Sequence, residues 1–154
     1  MTTVRDNFTD AARKALSLAK EEAGRFSSKS IGPEYLLIGL LRVGDSRARM
    51  ILQNLDIEID RMRRAVEAYI RPDGRDSQSE IGLTLQARQV IESAQREALL
   101  RTQERTDTDH LLLALAQAPE SFVTSVLQNF GARPEQIRAF MPPIPDQAPP
   151  SSQD

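Results

Sequence analysis

The sequence predicts an all-α protein built from two pseudo-symmetric four-helix repeats that form one globule. Three observations point there. Apolar residues recur at helical spacing, as in Ala12, Ala15, Leu16 and Ala19, which is the periodicity of a half-buried helix. No stretch alternates apolar and polar residues in the manner of a strand. The chain also matches itself without gaps at an offset of 75 positions, the step from Thr9 to Thr84. At that offset Phe8-Thr9 falls on Leu83-Thr84, Ala12-Arg13 on Ala87-Arg88, Glu22-Ala23 on Glu97-Ala98, Leu36-Leu37 on Leu111-Leu112, and Leu52-Gln53-Asn54-Leu55 on Leu127-Gln128-Asn129-Phe130. An ordered series of matches at one offset is the signature of a repeat. The two halves are therefore expected to share a fold and to pack with pseudo-twofold symmetry.

The elements follow in order. The first helix is predicted over Thr9–Gly24, with Thr9 suited to cap its N-terminus and Gly24 to stop it. The second is predicted over Pro33–Val43. Pro33 fits the first helical position, and Glu34 in the first turn suits the helix dipole. Its run Tyr35–Leu41 is apolar nearly all round, so this helix is expected at the buried centre of its half. Gly39 and its counterpart Ala114 are small enough to let a neighbouring helix come close. The third and fourth helices are predicted over Ser46–Leu55 and Glu58–Ile70. Their equivalents in the second half are Thr84–Arg101, Thr108–Gln117, Glu120–Phe130 and Pro134–Phe140. The first repeat thus takes residues 5–70 and the second 83–141. Residues 71–82 are polar, with a Pro and two Gly, and read as a linker. Residues 142–154 are rich in Pro and are expected to form a disordered tail.

Composition excludes several function classes. With 154 residues, 40% hydrophobic and 27% charged, the chain can bury a core without disulfides or metals. It has no Cys, which removes disulfides, thiol catalysis and Cys-based zinc sites. Its one His, His110, is too few for a histidine metal site or a catalytic triad. The formal net charge of −2 and a pI near 5.5 lack the basic surplus through which nucleic-acid binders neutralise phosphate. The cluster Arg61, Arg63, Arg64 is read as the solvated side of a helix whose buried side carries Met62, Val66 and Tyr69 or Ile70. The start MTTVRDNFTD lacks the apolar core of a secretory signal, and no run approaches the about 18 apolar residues of a membrane span. The expectation is a cytoplasmic protein without metal, cofactor, membrane or nucleic-acid partner. The competing reading is a helical DNA-binding regulator, because short helices joined by tight turns can form helix-turn-helix units; the acidic pI and the repeat pattern argue against it.

The repeat carries a recognisable pattern. Phe8-Thr9-Asp10-Ala11-Ala12-Arg13 leads to Ile31-Gly32-Pro33-Glu34-Tyr35-Leu36-Leu37-Ile38-Gly39-Leu40-Leu41. The second copy runs from Leu83-Thr84-Leu85-Gln86-Ala87-Arg88 to Thr106-Asp107-Thr108-Asp109-His110-Leu111-Leu112-Leu113-Ala114-Leu115. This resembles the duplicated N-terminal domain of the Clp/Hsp100 ATPases, most closely the ClpC type, over about residues 5–141. In that family the second helix of each copy opens with a Thr-Glu-His-Leu-Leu-Leu-like signature. Here the signature is split: the first copy keeps Glu34 but has Tyr35, and the second keeps His110 but has Asp109. The ATPase modules' P-loop has no match. Its nearest approach, Gly24 to Ser30, lacks the second Gly and does not follow a strand. ATP binding is therefore not expected, and the tail suggests a free-standing protein rather than a fragment.

The resemblance implies a non-enzymatic, protein-binding module of regulated proteolysis. It would act as a Clp adaptor, as an accessory subunit, or as a receptor for substrates or a degradation mark. Its partners would be a Clp ATPase, an adaptor or a protein substrate. Some ClpC-type domains bind phosphoarginine in two symmetric sites, and the positions that match here are Thr9 and Glu34, Thr84 and Asp109. A helix N-terminus would donate N–H groups to the phosphate, and a carboxylate would hold the guanidinium. The same four residues are equally explained as helix caps and dipole partners. Since Glu34 reaches one methylene farther than Asp109, a Thr9–Glu34 site is expected to bind more tightly than a Thr84–Asp109 site. His110 is expected to make a structural hydrogen bond at its helix start rather than to act as a base.

Overall fold

A computed structural model describes residues 7–70, 82–119 and 121–145. The linker residues 71–81, Glu120 and the tail residues 146–154 lie outside the described residues. The first half contains α1 (Asp10–Arg25), β1 (Ser30–Ile31), α2 (Pro33–Arg42), α3 (Arg47–Asn54) and α4 (Ile59–Tyr69). The second contains β2 (Gly82–Leu83), α5 (Leu85–Leu100), α6 (Thr108–Gln117), α7 (Phe122–Asn129) and α8 (Pro134–Arg138). The class is all-α, as the sequence predicts.

Duplication extends to the capping chemistry. Thr9 and Thr84 cap α1 and α5, each accepting a hydrogen bond from the backbone N–H three residues on, at 3.1 and 3.0 Å. Ser46 and Ser121 cap α3 and α7 in the same way, both at 3.1 Å. The helix ends are matched as well. Ser27 and Thr102 take left-handed backbone at φ 54° and 53°, and so do Asp56 and Gly131 at 63° and 94°. At each, the next residue's N–H turns back to a carbonyl five residues earlier, as in Ser28 to Ala23 at 2.9 Å and Ala132 to Leu127 at 2.8 Å. This is the Schellman closure of a helix. Gly24 is not the stop predicted for α1; Ser27 takes that role, and α1 continues to Arg25.

The second helix of each half is the most buried, as its composition requires. Every residue of α2 from Tyr35 to Leu41 is buried, and so is every residue of α6 from Thr108 to Ala116. Around them the apolar side chains of both halves merge into one core. On α4, Met62, Val66 and Ile70 face that core, while Arg61 and Arg64 are exposed and Arg63 pairs with Asp60 and Glu67. No helix among the described residues is long and apolar enough to cross a membrane.

One feature has no signal in the sequence. β1 pairs in parallel with β2, Ser30 opposite Gly82 and Ile31 opposite Leu83. At the related place Phe8 bridges Thr106. The 75-residue offset converts one pairing into the other, since Phe8 maps to Leu83 and Ile31 to Thr106. Backbone bonds seal both: Thr9 N–H to Thr106 O and Thr84 N–H to Ile31 O, each 3.0 Å. Each half thus lays the residues before its first helix against the segment leading into the other half's second helix. Two-residue strands are too short to show alternation. Gly82 consequently belongs to β2 rather than to the linker. At the other end Pro142 O accepts from Arg101 Nε at 3.0 Å, so the predicted disordered tail does not begin at Pro142.

Gly39 sets the distance between α1 and α2. A Cβ there would collide with the Ala15 carbonyl oxygen and come within 3.0 Å of the Ala19 nitrogen. Both obstacles are backbone and cannot rotate away. Gly39→Ala is therefore expected to destabilise the protein by about 3 kcal/mol, the upper end of overpacking costs. Ala114→Gly at the equivalent place should cost only about 1 kcal/mol through helix propensity. Urea unfolding of the two variants measures both.

Candidate binding site

The crossed pairing decides what surrounds the first helices. At the start of α1 lies a cleft of about 630 Å³ whose lining includes Thr9, Ala11, Gly44, Ser46, Arg47 and Asp107. At the start of α5 lies one of about 940 Å³ whose lining includes Thr84, Gln86, Pro119, Ser121, Phe122 and Gly32. The two sets correspond residue for residue at the 75-residue offset. Each cleft is therefore composite, with a first helix from one half facing the second-helix lead-in of the other.

This geometry corrects the grouping read from the sequence. Thr84 shares its cleft with Glu34, not with Asp109. Thr9 faces Asp107 and donates its hydroxyl to Asp107 Oδ1 at 2.7 Å; it does not join Glu34. The expected groupings Thr9–Glu34 and Thr84–Asp109 are not formed; Thr84 lies with Glu34, and Thr9 with Asp107. The physical reason is the exchange of lead-in segments between halves.

Asp109 is not open to a ligand. It is fully buried, its Oδ2 accepts from Arg47 Nε at 3.0 Å, and its Oδ1 accepts from the His110 N–H at 3.0 Å. The neighbouring residues are also tied to the first half: Asp107 to Thr9, and Thr108 Oγ1 to the Ala48 N–H at 3.0 Å. Glu34 is different. It is half-buried and has no hydrogen bond or ion pair among the described residues. Its carboxylate lies over Gly32, where a Cβ would come within 2.6 Å of Oε1. Where the first cleft has Arg47, this one has Phe122, stacked on Tyr69 with ring centroids 3.6 Å apart and planes 8° from parallel. The ring pair also lines a further hollow of about 950 Å³ whose lining includes Pro134 and Arg138.

Sequence reasoning missed Arg47, Phe122, Asp107 and Tyr69. The signal for three of them was present as mismatches in the repeat, Arg47 on Phe122 and Gly32 on Asp107. Tyr69 had none, because its position depends on how α4 meets α7.

The family described as Clp repeat (R) N-terminal domain matches residues 7–130 and, again, residues 82–153. The chaperone protein ClpB of Oceanobacillus iheyensis is 36% identical over 131 residues, which is 85% of this chain and 16% of that protein. The negative regulator of genetic competence ClpC/MecB of Bacillus subtilis is 35% identical over 131 residues, again 85% of this chain and 16% of the relative. The chain thus spans about a sixth of the length of these relatives. Among solved structures, the ClpV N-domain in complex with a VipB peptide superposes with a TM-score of 0.71 at 17% identity, covering 94% of this chain and 91% of that one.

His110 is buried at the first turn of α6. Its Nδ1 accepts from the Asp107 N–H at 2.8 Å, and its Nε2 lies 2.6 Å from Gln103 Oε1. That pattern requires a neutral ring with the proton on Nε2. Burial holds its pKa below the ordinary 6.5, outweighing the carboxylates of Asp109 and Asp107 that favour the charged form. The unfolded chain then binds a proton that the folded chain refuses. Its contribution to stability is intact above 6.5 and is lost as pH falls from 6.5 through the lowered folded-state pKa. In that window stability should decline by up to about 1.4 kcal/mol per pH unit. His110→Gln should flatten the slope when chemical unfolding is measured across the acidic range.

Proposed function

This chain belongs to the Clp repeat N-terminal domain family, and on that premise we propose that it is a protein-binding module of regulated proteolysis without catalytic activity of its own. It serves a Clp system as an adaptor, an accessory subunit or a receptor for substrates and degradation marks. The observation that carries this reading is the composite cleft at the start of α5. It is open, it holds the half-buried carboxylate of Glu34, which has no partner among the described residues, and it is walled by the Tyr69–Phe122 ring pair. Such a surface suits a side chain presented by another polypeptide: apolar area for affinity and a few polar groups for orientation. A relative of the same fold, the ClpV N-domain, is seen with a peptide of VipB.

Within this reading the degradation mark is phosphoarginine. The N–H groups of Leu85 and Gln86 in the first turn of α5 have no carbonyl within the helix and face an anion favourably. Glu34 in the same cleft takes the guanidinium. Asp109, committed to Arg47, takes no part. The test is calorimetric titration with an arginine-phosphorylated peptide. Saturable binding is expected. Glu34→Ala should weaken it about ten- to a hundredfold, because a hydrogen bond to a charged group contributes about 1.5–3 kcal/mol when shielded from water. Absence of saturable binding would remove phosphoarginine and leave Thr84 and Glu34 as a helix cap and a dipole partner.

A further inference from the structure

The second cleft is longer than its twin, and its far end carries a guanidinium without a partner among the described residues. On α5 its lining continues from Thr84 through Gln89 and Ser93 to Arg96, whereas the lining of the first cleft on α1 stops at Ala11. From Thr84 to Arg96 the helix rises about 18 Å. Val90, Pro119 and Val123 give this stretch an apolar wall.

The repeat offset shows why only one cleft continues. In the first half Arg42, the last residue of α2, reaches across to α1. Its Nη1 donates to Glu21 Oε1 at 3.3 Å and to Glu22 Oε2 at 2.6 Å, and Glu22 is fully buried. The equivalents of Glu21 and Arg42 in the second half are Arg96 and Gln117. A glutamate is exchanged for an arginine, and the arginine that met it for a glutamine, so the tie between the two helices is lost. Arg96 is exposed, has no ion pair or hydrogen bond among the described residues, and lines the cleft together with Gln117. Glu92 lines it one turn earlier and is not paired with Arg96.

We propose that the second cleft is a track for an extended segment of a partner polypeptide, in which Arg96 and Gln117 receive an acidic side chain about five residues from the side chain held at the start of α5. That spacing follows from the rise of about 3.3 Å per residue in an extended chain. A carboxylate pairs with the guanidinium through charge-assisted hydrogen bonds, and the glutamine amide offers further N–H donors. An acidic side chain only about three residues away would meet Glu92 instead and be repelled. The chain carries a net charge of −2, so general attraction does not favour an acidic segment and any gain is local. This preference rests on the protein-binding reading above and narrows the partner by sequence, to one with an acidic residue at a fixed spacing.

The experiment is calorimetric titration of the full chain with acetyl-Glu-Gly-Ser-Gly-Ser-phosphoarginine-Ser-Gly-Ser-Gly-Glu-amide, with its glutamine version, and with a version whose glutamates stand three residues from the phosphoarginine. Glutamates on both sides make the result independent of chain direction. The first peptide should bind about two- to fivefold more tightly than the glutamine version, the range of a partly exposed ion pair. Glutamates at the shorter spacing should give no gain. Arg96→Glu should reverse the preference, so that a lysine version binds better than the glutamate one, a change of sign that misfolding cannot produce. Arg88→Glu, on α5 but outside the lining of the cleft, should leave the preference intact. Equal binding of the glutamate and glutamine versions, a gain that survives Arg96→Glu, or an equal gain at the shorter spacing would each overturn the proposal while leaving phosphoarginine binding in place. No saturable binding of any of these peptides would remove both the track and phosphoarginine.

Discussion

Two helices of ten residues without a polar face set the terms of this structure. Neither α2 nor α6 can leave a side in water, since Tyr35 to Leu41 and Thr108 to Ala116 are buried without a break. An ordinary surface helix needs cover on one stripe only. Here α1, α3 and α4 pack on α2, and α5, α7 and α8 on α6, yet those neighbours leave part of each central helix bare. The remaining side is closed by the other half, α2 meeting α6, α5 and α7. Joining the halves is therefore a condition of burying the two central helices, and the merged core follows from it.

The functional surface is a consequence of the same constraint. Once the halves meet about their pseudo-twofold axis, the residues before each first helix fall beside the lead-in to the other half's second helix. The parallel contacts Ile31–Leu83 and Phe8–Thr106 fix that arrangement. Both clefts are then shared between halves, and symmetry is broken by side chains alone. Beside one cleft Arg47, Asp107, Thr108 and Asp109 tie the halves together with hydrogen bonds. With Asp109 fully buried, removing Arg47 would strand the Asp109 charge; that cleft is part of the framework. In the other, Gly32 and Phe122 offer no polar partner, Glu34 stays half in water, and the cleft is open.

Much of this was legible in the sequence. The eight helices, their duplication, the burial of α2 and α6 and the Thr9 and Thr84 caps all rest on local chemistry or on spacing along the chain. What was not legible depends on contacts between distant residues. The grouping of Thr84 with Glu34 follows from the crossing of the halves, whereas the repeat by itself suggests grouping within each copy. The two-residue strands carry no periodicity. The commitment of Asp109 to Arg47 spans 62 positions, and nothing about Arg47 in isolation separates it from Arg49 or Arg64. Only its alignment with Phe122 marks it. Gly24 misled because a left-handed Ser27 ends α1 instead, a role that glycine usually takes.

The central claim is that the halves form one cooperative unit held by their crossed lead-in segments, and native-state hydrogen exchange tests it most directly. The amides of Thr9 and Thr84 donate across the halves to Thr106 and Ile31. If the halves open together, both amides should exchange with the free energy of global unfolding, in step with the amides of α2 and α6. Exchange of one half's helices by a separate, cheaper opening, with Thr9 or Thr84 released well before the core, would show two independent repeats and contradict the account.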